Sequence, residues 1–360
     1  MVQEATGSVR PSAEPIRHAS QALPSRVDWV DYGKGFCIIF VVMMHSTLGV
    51  EKALGETGWM GLVVEWARPF RMPDFFLIAG LFLSRSISRS WRDFLDRKVL
   101  HFAYFYFLWL TIQFGFRAPA MAGEIGWAGA ISAYFNAYIN PYGTLWFIYL
   151  LPVFFVVVKL TRKAPAALIW SIGAALEIAD IHTGNLLVDE TASRFVYFYS
   201  GYLCAPVIFR FADWIKNHWR LALLGLPVWG VFNGVLVFSG YGDLPFVSLG
   251  LGFLGAAAVV ALSALLAKSG RLDFIRFCGA QSIVIYLGFF LPMVISRLVL
   301  LKTGLIDDIG TMSVIVTTAG VLGALMMWWV ASRTPFAFLY RRPDWARLSP
   351  QARQRIAPAE

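Results

Sequence analysis

Ten apolar stretches, joined by connections that alternate between basic-rich and basic-poor, constrain this chain more than any other feature. The stretches fall at 35–50, 70–83, 99–116, 144–158, 166–180, 195–209, 221–239, 244–266, 279–301 and 311–331. Several are shorter than the ~20 residues that a perpendicular helical span requires. Taken as spans, they leave 1–34, 84–98, 159–165, 210–220, 268–276 and 332–360 on one side, with 24 Lys and Arg. The segments 51–71, 117–143, 180–194, 240–245 and 302–310 on the other side hold 6. Lys and Arg accumulate in cytoplasmic connections. The pattern therefore predicts an all-α integral membrane protein, a bundle of about ten transmembrane helices with both termini cytoplasmic. A missed or invented span would break the alternation at that point, and it holds throughout.

Composition agrees with this class. Of 360 residues, 58% are hydrophobic and 15% charged, where a soluble domain is nearer one quarter charged. The net charge of +9 is then the cytoplasmic excess of Lys and Arg, and nucleic acid is not expected as a partner; the lipid bilayer is. Cys37, Cys204 and Cys278 lie in or beside apolar runs without metal-ligand spacing, so neither a disulfide framework nor a metal site is expected. Residues 1–27 lack an apolar core and are expected to be a disordered cytoplasmic tail. Residues 28–331 form the transmembrane domain, and 332–360 a basic cytoplasmic tail lying on anionic lipid. The longest outer connection, 117–143, could lie along the interface rather than extend from it.

Chemistry enters with KGFCIIFVVMMH, Lys34 to His45. Eleven residues at about 100° each return a helix to nearly the same face, roughly 16 Å further along its axis. Lys34 and His45 therefore share one stripe, with the cation at the inner end and the imidazole about half a hydrocarbon thickness away. An ionisable group at that depth normally faces a bundle interior or a watery cavity, although a helix-end histidine bonded to a backbone carbonyl is the plainer alternative. Asp74, Glu177, Asn233 and Arg297 are expected at a similar outer depth, with Arg71 and Arg194 at the outer mouth. Together they predict an external-side cavity that binds substrate. A neutral imidazole can take a proton from an attacking hydroxyl, and a carboxylate on its other nitrogen would orient it. Asp74, on the adjacent helix, is the candidate orienter. At the inner side Lys34, Arg97, Lys98 and His101 suit phosphates, although ordinary cytoplasmic charge accounts for such residues too. A phosphorylated carrier inside and a proton acceptor further out describe an acyl group handed partway through the membrane.

Several segments carry a family resemblance. Lys34 and His45 reproduce the basic residue, ten intervening residues and histidine of the first helix of the acyltransferase 3 family, with Lys for the commoner Arg. PFRMPDFFLIAGLFL is similar to that family's second helix, GTLWFIYLLPVFF to its Leu-Trp-Phe helix, RFVYFYSGYL to its Arg-to-Gly-Tyr helix and QSIVIYL to its Ser-x-x-Ile-Tyr segment. The resemblance covers nearly all of 28–331. It implies a membrane O-acyltransferase of the bacterial inner membrane, with acyl-CoA as co-substrate, no permanently bound cofactor, and an envelope glycan or sugar-lipid as acceptor. His45 then matches the catalytic histidine and Lys34 its basic partner. Lys98 and His101 stand where a pair of arginines is usual, and Gly288 and Phe289 where many members carry a histidine. Asp74 is not a usual family residue. The competing expectations are a solute transporter or flippase using the same polar layer, and a non-catalytic membrane partner. The chain shows neither an internal repeat nor clear pairs of Gly/Pro-broken helices, both of which a transporter commonly has.

Overall fold

The computed structural model describes residues 27–348 apart from residue 142. The tail expected over 1–27 lies outside the described residues except for Val27, as do residues 349–360. Among the described residues every regular element is a helix or helical turn.

The first helix, α1 (Asp28–Leu54), begins with Asp28 and Asp31 in its first turn and ends with Lys52 in its last, charges that complement the helix dipole. Gly55, in the left-handed region at φ 75°, closes it by donating its N–H to the Glu51 carbonyl. A short helix α2 (Trp59–Trp66) turns at Ala67 into α3 (Arg68–Gly80). Two short turns and a π-helical turn, Asp96–Leu100, lead into α4 (His101–Asn136), which kinks at Gly126. There follow α5 (Trp146–Thr161), α6 (Ala166–Ile178), α7 (Leu186–Leu203), α8 (Ala205–Asn217), α9 (Trp219–Phe238) and α10 (Val247–Ser269). The series ends with α11 (Asp273–Ala280), α12 (Ser282–Gly288), α13 (Phe290–Thr303), α14 (Ile309–Ala331) and a 3₁₀ turn, Pro335–Leu339.

Each of the ten expected stretches falls on a helix. Length and apolarity, however, qualify five helices as spans, or up to seven if two bent pairs each count as one. The pairs are α7 with α8, bent by 76°, and α12 with α13, bent by 51°. Sequence reading had found no clear broken pair. The breaks escaped it because the apolar character continues across both, while the backbone turns at Cys204 and Phe289. The outer connection after 117 is helical as far as Asn136 rather than an open loop.

Helix α1 is the hub, packing most extensively on α11 and α14 and also on α10 and α3. A Cβ on Gly279 would overlap the Asp31 carbonyl, so the α1 and α11 backbones touch. Gly201 likewise lets α7 lie against the Leu77 carbonyl of α3. Small residues permit such approaches where lipid supplies no hydrophobic drive between helices. Some of the charge in the basic connections is also structural. Lys159, 3% exposed, donates to the carbonyls of Ile87 and Arg89 at 2.7 Å each and so caps the turn after α3.

Candidate functional site

Lys34 and His45 lie on the same continuous helix, as their spacing requires. An apolar cavity of about 170 Å³ is lined by Lys34 together with Phe75, Phe102, Phe147 and Tyr286. Phe75 stacks on Phe147 with ring centres 4.4 Å apart, and Phe147 meets Tyr286 at 5.7 Å. Tyr286 is followed one turn later by Phe289, whose ring lies 5.6 Å from that of His45. An aromatic path therefore leads from the lysine to the histidine. The bend between α12 and α13 falls at Phe289, which packs on both Tyr286 of the cavity wall and His45 of α1.

Arginines surround His45. Arg71 and Arg117 are the charges that act on its ring, and no carboxylate hydrogen-bonds to it among the described residues. Arg71 is 9% exposed and donates to the Val64 carbonyl at 3.4 Å. The Arg117 guanidinium lies 4.4 Å from the Phe290 ring and against Gly143. Arg297 packs directly on the α1 backbone, where a Cβ on Gly49, one turn beyond His45, would overlap its guanidinium.

The hydrogen bond expected between Asp74 and His45 is absent among the described residues. Asp74 is 2% exposed and its charge acts on Cys37 and Tyr197 instead. The helices run antiparallel with Gly33 opposite Ile78 and Cys37 near Asp74, so His45, eight residues after Cys37, lies about 12 Å further out.

The remaining polar residues of the expected outer layer separate. Glu177 and Arg194 line an outer cleft of about 650 Å³ with Arg68, Tyr197, Asp243 and Ser248. Ser248 and Tyr197 donate to Glu177 Oε1 at 2.8 and 3.3 Å, and Arg194 pairs with Glu190 at 3.0 Å. Arg71 is close enough to feel the charges of Arg68, Glu190 and Arg194, and its own charge acts on His45. Asn233 does not line the cleft. Fully buried, it donates to the Trp66 carbonyl at 2.8 Å beside the Trp66–Phe70–Trp229 ring cluster and joins α9 to α2.

At the Lys34 end of α1 the Lys34 ammonium lies 6.0 Å from the Phe82 ring, and Lys98 4.6 Å from Phe155. Lys34, Arg89 and Arg97 act on Lys98, and Lys98 acts on His101, so the four expected cations are neighbours. His101 packs edge-on against Phe102 and Phe105.

Sequence reasoning missed Arg117, Gln113, Thr144 and Tyr286 as site residues. Tyr286 donates to the Thr144 carbonyl, and Thr144 donates to Gln113 Oε1 at 3.2 Å, tying the cavity wall to α4 one turn before Arg117. Gln113 within an apolar run was the available signal, being an uncharged polar group that lipid would not tolerate alone. Arg117 gave none, since it resembled one more outer-loop cation. Among the described residues no cluster could hold a metal ion.

Comparison with known proteins adds the following. The family model for acyltransferase 3, described as an acyltransferase domain, matches residues 27–333. Inner membrane protein YcfT of Escherichia coli is 29% identical over 157 residues, covering 38% of this chain and 44% of that relative. The chain thus spans less than half the length of the curated relative it matches. No solved structure matches.

Proposed function

The chain belongs to the acyltransferase 3 family, and from that premise we propose that it is a multi-pass membrane O-acyltransferase. It moves an acyl group of the acetyl or succinyl kind from cytoplasmic acyl-CoA to a hydroxyl of an envelope sugar, glycan or sugar-lipid. Its place is the bacterial inner membrane, in keeping with the name of its relative, and the charge alternation supports ten crossings with both termini cytoplasmic.

One observation carries the reading: Lys34 lines an apolar cavity whose wall residue Tyr286 packs on Phe289, and Phe289 packs in turn on His45. The cavity's apolar, aromatic lining suits the pantetheine arm of the donor. The donor phosphates meet Lys34, Arg97 and Lys98, with His101 beside them, and the thioester reaches His45. The imidazole takes the proton of the acceptor hydroxyl as its oxygen attacks the thioester carbon. The tetrahedral intermediate carries negative charge on the former carbonyl oxygen, and Arg117, with Arg71 and Arg297 near, favours it electrostatically. The carbon–sulfur bond then breaks and the thiolate recovers the proton from the imidazolium. Products are the ester and free coenzyme A, with no covalent enzyme intermediate. The outer cleft with Glu177 and Arg194 is the acceptor's approach.

Mass spectrometry of envelope glycans and lipids with and without the gene tests this. Gain of one acyl mass names donor and acceptor together, and an unchanged envelope removes the reading. The two broken helices favour transport as a second reading. Solute uptake into proteoliposomes that survives His45→Ala while no acyl transfer is found would bring transport forward.

A further inference from the structure

The segment after α14 does not trail away from the helices. The Tyr104 hydroxyl donates to the Phe338 carbonyl at 3.0 Å and the Trp109 indole to the Leu339 carbonyl at 2.9 Å, laying residues 335–340 along α4. Tyr340 packs on Trp109 at 5.4 Å, with its hydroxyl close to Gly288. Beyond it Arg342, 6% exposed, reaches the π-helical turn that begins at Asp96, itself 0% exposed. The Arg342 guanidinium donates to the Asp96 carbonyl at 2.8 Å and to its carboxylate at 2.9 Å, and the Leu348 N–H donates to the same carboxylate oxygen at 2.9 Å. Arg92 closes the loop by donating to the Leu348 carbonyl at 2.9 Å. Sequence reading had laid this basic stretch on lipid; Arg342 and Arg347 are instead buried against the helices.

The place of this contact gives it meaning. Asp96 immediately precedes Arg97 and Lys98. It lies in a group of cations, Lys34, Arg89, Arg97, Lys98, Arg342 and Arg347, in which Arg342 holds it at 2.9 Å while Arg347 pairs with Asp344 at 3.3 Å. A bare carboxylate there would repel an incoming phosphate and compete with it for the same ammonium and guanidinium groups. A buried ion pair is seldom retained for stability alone, because desolvation offsets most of its attraction. A π-helical turn in a long helix often marks a functional position.

We propose that Arg342 is a positioning residue of the donor site. By neutralising Asp96 and clamping the π turn, the C-terminal strap keeps Arg97 and Lys98 free for the phosphates of the acyl carrier. This rests on the reading of Lys34, Arg97 and Lys98 as the donor-phosphate end.

The test is coenzyme A binding to the detergent-purified full-length protein, measured by isothermal titration alongside thermal unfolding. Arg342→Met is expected to weaken binding by about tenfold, the scale of one unscreened unit charge at short range. Asp96→Asn/Arg342→Met is expected to restore binding to within about threefold of wild type, since the Asp96 carboxylate that would compete is gone. Asp96→Asn alone, which leaves Arg342 as an additional cation, is expected to bind coenzyme A as tightly as wild type or tighter. A merely structural strap predicts the reverse order, with the double variant no better than Arg342→Met and Asp96→Asn weaker than wild type. Either result overturns the proposal, as does wild-type affinity in Arg342→Met. Should Arg342→Met fail to fold, Asp96→Asn alone decides by the sign of its effect. Wild-type protein that does not bind coenzyme A overturns the donor reading itself, and this inference with it.

Discussion

At the residue scale, His45 carries the chemistry proposed here, and its surroundings decide how it works. His45→Ala should cost transfer ~10²–10⁴-fold, the usual contribution of a general base. Expression and insertion should hold, because loss of a polar group makes α1 easier to insert. Full transfer by that variant, measured with purified protein, would end the enzyme reading. Arg117 lies against Phe290, next in sequence to the Phe289 that His45 packs on. If it favours the charged intermediate, Arg117→Met should lower kcat by about tenfold or more while KM for acyl-CoA stays within about twofold. A raised KM with unchanged kcat would move Arg117 to substrate binding. Asp74 gives the complementary case. Since no hydrogen bond joins it to His45 among the described residues, Asp74→Asn should cost the same factor in wild type as in a weakly active His45→Gln background. A double-mutant cycle in which the two losses fail to multiply would restore Asp74 as the orienter.

At the element scale, close glycine-mediated crossings hold the site together. Gly201 lets α7 rest on the Leu77 carbonyl of α3, and α3 in turn supplies Phe75 to the cavity wall. Gly201→Val would push these backbones apart, an overpacking strain of about 1–3 kcal/mol. It should lower the midpoint of thermal unfolding in detergent and reduce transfer without altering the residues of the site. Unchanged stability would mean that α7 and α3 separate freely and that the cavity does not depend on their contact. Tyr286 and Phe289, three apart at the end of α12, share one helix face, which is how one strip of that helix touches both the cavity and His45.

At the scale of the molecule, the proposed reaction needs a donor end inside and an acceptor cleft outside, so topology is a functional statement. Cysteines placed in 51–68, 120–140 and 182–192 should react with a membrane-impermeant reagent from outside, and those in 85–96 and 342–348 should not. Outside labelling of 342–348 would put Arg342 and Asp96 on the wrong face for a cytoplasmic donor and shift the count of crossings by one. The apolar stretches, their charge alternation and the helical class were legible in the sequence because hydrophobicity and charge act on each segment separately. The shared face of Lys34 and His45 was legible for the same reason, since a helix repeats every 3.6 residues whatever surrounds it. Everything that depends on how one helix lies against another was decided by the tertiary structure. Asp74 faces Cys37 rather than His45 because the antiparallel register of α1 and α3 sets who meets whom. Arg117 reaches the neighbourhood of His45 from a different helix, and Arg342 reaches Asp96 across 246 residues of chain. Register and docking are fixed by a few close backbone contacts and buried polar pairs, whose partners lie too far apart in the chain for any local pattern to name them.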